Sequence, residues 1–64
     1  MPVITVKIGK TDTKKKKELI EKLTKTAVDV TAISEGAFLV FIEEYDFHNI
    51  GVGGQSLADK MAGQ

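Results

Sequence analysis

An unbroken apolar run, Phe38-Leu39-Val40-Phe41-Ile42, sets the terms for any fold of this chain. Short continuous runs of this kind suit a strand covered on both faces, as in parallel sheets. A second strand is written near the start, where Val3, Thr5 and Lys7 alternate with Ile4, Val6 and Ile8, and where β-branched residues dominate. Gly9 is expected to stop it. Between the two, a helix is predicted from about Thr13 to about Thr31. It contains no glycine or proline and sets Leu19, Ile20, Leu23, Ala27 and Val30 on one stripe. Strand, helix and strand in this order make a β-α-β unit, whose crossover is almost always right-handed. One helix covers one face of such a sheet, and two strands do not stand alone in water. The other face would carry Val3, Thr5 and alternate members of the run from Phe38 to Ile42. Another copy of the chain is expected to meet it.

Size leads to the same expectation. At 64 residues the chain is one domain, residues 1–64. A chain this short buries only about 60% of the surface its unfolded form exposes. Small folds compensate with disulfides, a metal or oligomerisation. There is no cysteine and His48 is the single histidine, so disulfides are excluded and a metal site within one chain is not expected. Oligomerisation remains. The formal net charge is zero, which gives no push toward nucleic acid or a membrane surface. No apolar run approaches the roughly 20 residues of a membrane span, and no signal-peptide pattern is present. A cytoplasmic location is the expectation.

Local signals fill in the connections. Thr11 or Asp12 can accept from the first free helix N–H groups. Lys17–Glu21, Glu18–Lys22 and Glu21–Lys25 are opposite charges four apart, which support the helix modestly. Lys14 to Lys17 sit badly with the positive end of the helix dipole. They read as a solvated face partly paired with Glu18 and Glu21, with Glu43, Glu44 or Asp46 of a neighbouring subunit as alternative partners. Residues 32–36 form a connection, and Tyr45 to Ile50 an ordered loop with its own aromatics. Gly51-Val52-Gly53-Gly54 fits a tight hairpin; as a phosphate loop it lacks the last glycine and the strand–helix context of the dinucleotide fingerprint. Ser56 to Met61 is expected to form a short helical turn, and Ala62-Gly63-Gln64 to fray.

Pro2 has two readings. Proline lacks the N–H a paired strand needs, and at a strand's first position that loss matters little. Chemically, a small second residue lets the initiator methionine be trimmed, which would make the Pro2 ring nitrogen a secondary amine. An α-amino group titrates near ~7.7–8.0 unperturbed, and apolar surroundings or a nearby cation lower that value. Such a base suits proton transfer near neutral pH. While Met1 is attached, the same nitrogen is a tertiary amide without basicity.

Together these features resemble the short-chain members of the 4-oxalocrotonate tautomerase family. The likeness rests on Met1-Pro2 ahead of a strand, Gly9-Lys10-Thr11-Asp12 before a lysine-rich helix with Glu18-Leu19-Ile20, then Val40-Phe41-Ile42-Glu43-Glu44, and Asn49-Ile50-Gly51-Val52-Gly53-Gly54. It spans essentially the whole chain. The resemblance implies an α+β fold: a single β-α-β subunit, shared with the MIF-like tautomerases, that ends in a C-terminal hairpin. Copies would pair through a four-stranded sheet, and three dimers would form a homohexamer. It implies a cofactor-independent, metal-free keto–enol tautomerase with Pro2 as the catalytic base. The substrate would be a small enol acid, such as a 2-hydroxydienoate or an arylenolpyruvate.

Three further positions follow from the resemblance as substrate-binding residues. The family's first arginine is matched best by Lys10, with Thr11 as the alternative because the loop is shorter here. The second arginine is matched by Leu39, and the aromatic beside the proline by Ile50. Lysine keeps the charge and loses the bidentate fork that grips a carboxylate. With Leu39 uncharged, a monocarboxylate is easier to accommodate than a dicarboxylate, and Lys7 or His48 are the other cationic candidates. Hydration or decarboxylation of a small unsaturated or keto acid by the same proline is the alternative chemistry. A non-catalytic oligomeric paralogue is the alternative of another class.

Overall fold

The computed structural model describes residues 1–63. Strand β1 runs over Val3–Gly9, helix α1 over Thr13–Thr31 and strand β2 over Leu39–Tyr45. Strands β3 (Gly51–Val52) and β4 (Gln55–Ser56) form a hairpin, and helix α2 (Leu57–Ala62) follows. Short 3-10 turns at Glu35–Ala37 and Phe47–Asn49 bracket β2. The two long strands pair in parallel, from Val3 opposite Leu39 to Gly9 opposite Tyr45. A β-α-β unit with a C-terminal hairpin is therefore observed, as expected.

Local chemistry explains the boundaries. Asp12, rather than Thr11, caps α1: its Oδ1 accepts the Lys15 N–H at 2.7 Å. The helix ends on Ala32, which is left-handed at φ 61° and donates its N–H to the Val28 carbonyl at 2.8 Å. The hairpin turns through Gly53 and Gly54, both at positive φ, the pair of conformations a two-residue type I′ turn demands.

The structure corrects several details. The second strand begins at Leu39 and includes Glu43, Glu44 and Tyr45, so the expected loop shrinks to Asp46–Ile50. Its charged end tolerates strand geometry because Glu44 turns toward α1 and finds partners there. Of the three helix ion pairs, Glu18–Lys22 closes, at 2.6 Å, which lowers the Glu18 carboxyl and raises the Lys22 amine. Lys16 belongs to no solvated face, since its Nζ lies 3.1 Å from Glu44 Oε1 of the same chain. Ala62 stays helical, and Gly63 donates its N–H to the Asp59 carbonyl at 2.9 Å; Gln64 lies outside the described residues.

Where the apolar surface goes matters most for function. Ile4, Val6 and Ile8 of β1 and Val40 and Ile42 of β2 are half-buried beneath α1, which presents Leu19, Leu23, Ala27 and Val28. Ile20 and Val30, expected on that stripe, are 42% and 80% exposed. A lone helix over two strands covers a narrow strip, and the residues at its margin and its far end overhang it. On the opposite face Val3, Leu39 and Phe41 are open. None of the described residues is buried. The radius of gyration is 15.2 Å, against about 11 Å for a compact domain of this length. No helix among the described residues is long and apolar enough to cross a membrane.

Candidate functional site

The four residues singled out from the sequence divide between the two ends of the sheet. Pro2 and Leu39 lie together at one end. The Leu39 N–H donates to the Pro2 carbonyl at 3.0 Å, which ties the proline to the start of β2. Pro2 is half-buried, and Met1 ahead of it is 86% exposed.

Lys10 and Ile50 lie at the other end. Lys10 follows β1 directly and is eight residues from Pro2, which along an extended strand is about 26 Å. It borders an open cleft of about 410 Å³ together with Tyr45, Asp46, Phe47, His48 and residues of α2. Its Nζ is 3.8 Å from Asp46 Oδ2. Asp46 also accepts the His48 N–H at 2.9 Å and faces His48 Nδ1 at 2.8 Å, so its carboxyl is held below the usual range mainly by that backbone N–H and then by the ring. Ile50 is half-buried in an adjacent cleft with Lys7, Ile8, Gly9, Tyr45 and Asn49. Neither cleft is lined by Pro2 or Leu39.

Some participants were not visible in the sequence. Glu44 accepts the Thr11 N–H at 2.8 Å and pairs with Lys16, and these contacts, in that order, keep its carboxyl ionised to lower pH than usual. Tyr45 donates its hydroxyl to Glu43 Oε1 at 2.9 Å, which raises the phenol. The Phe47 ring lies so close to Gly9 that a side chain on residue 9 would collide with it. The spacing Asp46-x-His48 was the available signal for the turn, because an aspartate accepts from the backbone two residues on. The Glu44–Thr11 contact left no local signal.

The arrangement sets Pro2 at one end of the sheet, and the Lys10 cation and the apolar Ile50 in neighbouring clefts at the other. Within one chain the two do not meet. The family model described as "Tautomerase enzyme" matches residues 2–60. A probable tautomerase of Bacillus cereus is 42% identical over 62 residues, covering 94% of this chain and all of that protein. The 2-hydroxymuconate tautomerase of Bacillus subtilis is 41% identical, covering 92% and 97%. Among solved structures, YwhB, a homologue of 4-oxalocrotonate tautomerase, superposes with a TM-score of 0.85 at 36% identity over 91% of this chain and 97% of its own. DmpI of Archaeoglobus fulgidus gives 0.83 at 38% identity, over 91% and 100%. Matched from end to end in both sequence and fold, the chain belongs to the 4-oxalocrotonate tautomerase family, and its activity is that of a tautomerase, an isomerase.

Proposed function

We propose that the Pro2 nitrogen, freed by removal of Met1, is the general base of a keto–enol tautomerase acting on 2-hydroxydienoates or arylenolpyruvates. The proline nitrogen takes the proton of the enol hydroxyl. As the carbonyl forms and the double bond shifts, the same nitrogen returns a proton to carbon further along the conjugated system. Atoms and charge balance, and the chain's own residues supply every step. Lys10, rather than Thr11, is the cation that holds the substrate carboxylate or the charge developing on oxygen, because the Thr11 N–H is already taken by Glu44. Leu39 and Ile50 form apolar walls that exclude water and keep the amine largely unprotonated at neutral pH.

The separation of Pro2 from Lys10 by the full length of β1 is the observation that carries the architecture. Antiparallel pairing of two β1 strands about Val6 would extend the sheet to four strands. It would also set Pro2 of one copy opposite Lys10 of a second. The site is then built between subunits. The open face with Val3, Leu39 and Phe41 gives such dimers a surface on which to associate further, in keeping with a trimer of dimers. The 2-hydroxymuconate activity named for the Bacillus subtilis relative supports the substrate class.

Phenylenolpyruvate ketonisation by Pro2→Ala tests the chemistry, after mass spectrometry has shown that the wild-type protein lacks Met1. A loss of roughly 10²-fold in kcat is expected, because the trimmed variant presents a primary α-amine without the ring in place of the proline's fixed secondary amine. The wild-type rate should rise as the proline amine loses its proton. A Pro2→Ala rate equal to wild type overturns the assignment.

A further inference from the structure

The turn that carries Lys10 is fastened from outside itself. Its neighbour Thr11 has its N–H on Glu44 Oε2 at 2.8 Å, while Glu44 Oε1 holds Lys16 Nζ at 3.1 Å, one turn into α1. Glu44 thus joins three elements: the end of β2, the β1–α1 turn and the first turns of the helix. These contacts bridge 33 and 28 residues of sequence, so no local propensity would form them. Asp12, the helix cap, bonds only within its own turn. The Lys10 side chain is itself 73% exposed, and its ion pair with Asp46 is long at 3.8 Å. The backbone of its turn therefore sets the point from which the Lys10 stem reaches out.

We infer that Glu44 is a positioning residue for substrate binding, which through the Thr11 N–H and Lys16 sets the turn that presents Lys10 to the substrate carboxylate. The inference rests on the assignment of Lys10 as the anion grip. Glu44 feels the Lys10 charge, but its hydrogen bonds go to the Thr11 N–H and Lys16, and it touches no reacting atom. Freed from Glu44, the turn samples conformations that move the cation by ångströms, and affinity falls by the fraction of molecules held in the competent one. Chemistry at Pro2 proceeds unchanged once substrate is bound, so the effect falls on KM.

The test is a double-mutant cycle on the Met1-free protein, with phenylenolpyruvate as substrate and oligomeric state monitored by sedimentation. Glu44→Ala is expected to raise KM about fivefold with kcat within about twofold of wild type. In a Lys10→Ala background the same change should do almost nothing. Glu44→Gln, which retains an acceptor for the Thr11 N–H, should recover most of the lost affinity, and Lys16→Met should resemble it. If Glu44→Ala does not assemble, the Gln and Met variants carry the same cycle. A KM penalty for Glu44 variants that persists undiminished without Lys10, or a loss confined to kcat, overturns the inference. An unaltered KM in Lys10→Ala alone removes the grip assignment and the inference with it, while leaving Pro2 as base to be judged by its own variant.

Discussion

The two ends of β1 are complementary in what they lack. At its start lies Pro2, the proposed base, and the residue matched to a second cation is the aliphatic Leu39. At its finish, Lys10 and Asp46 place opposite charges beside an open cleft that Pro2 does not line. On the proposed reading, neither end would bind an enol acid and move its proton unaided. The catalytic unit would then be larger than the folded chain, with β1 as the spacer between its two halves.

Subunit mixing would break or establish this contrast with the largest effect. Pro2→Ala subunits, and Lys10→Ala subunits assayed at substrate concentrations well below their raised KM, should each show little activity and regain about a quarter of the wild-type rate when unfolded together and reassembled at equal ratio. Half of the random dimers are mixed, and each mixed dimer has one intact site. Recovery no greater than the sum of the separate variants would show that both residues serve the same chain. Next in size is Phe41→Glu, which places a charge on the open sheet face. Sedimentation should show assembly falling to smaller species, because a carboxylate facing apolar Val3 and Leu39 of neighbouring copies has no partner. An unchanged sedimentation coefficient would mean that this face is not an interface.

Smaller effects separate the ends further. Glu44 and Asp46 both lie toward the Lys10 end, and both carboxyls are lowered by hydrogen bonds in the folded chain. A carboxyl lowered on folding stabilises fully above its unfolded value. That contribution disappears as pH falls through the lowered folded value. Acid should therefore loosen the Lys10 end below the ordinary carboxylate range, and hydrogen exchange should report faster opening at Thr11 and His48 than at Leu39. Equal acid sensitivity at both ends would count against the distinction. The smallest effect concerns Ala32, whose left-handed backbone at the end of α1 is strained for a residue with a side chain. Ala32→Gly should stabilise by roughly 0.5–1 kcal/mol in guanidinium unfolding at fixed protein concentration, with kinetics unaltered.

Much of this was readable from residues alone. The β-branched alternation from Val3 to Ile8 and the glycine-free helix gave their elements within a residue or so, because both periodicities are local. The Gly53-Gly54 turn is equally local. The end of β2 was harder to see: Glu43 and Glu44 look like the start of a loop until α1 supplies Lys16, and the turn before it Thr11, as partners of Glu44. Ile20 and Val30 fit the helical period, yet coverage depends on the width of the sheet beneath, which periodicity does not encode. At the site, the proposed role of Pro2 is suggested by its place beside Met1. The hold of Glu44 on Thr11 and Lys16 depends on residues brought together only by the fold.

The close approach of Phe47 to Gly9 links the two clefts at the far end of β1. Gly9 precedes Lys10 and borders Ile50, and Phe47 adjoins His48 and Asp46. A methyl group on residue 9 would meet the ring, and one of the two would have to shift. The pair therefore works as a bump and its hole, through which a change on one side of the strand end is felt in the cleft on the other.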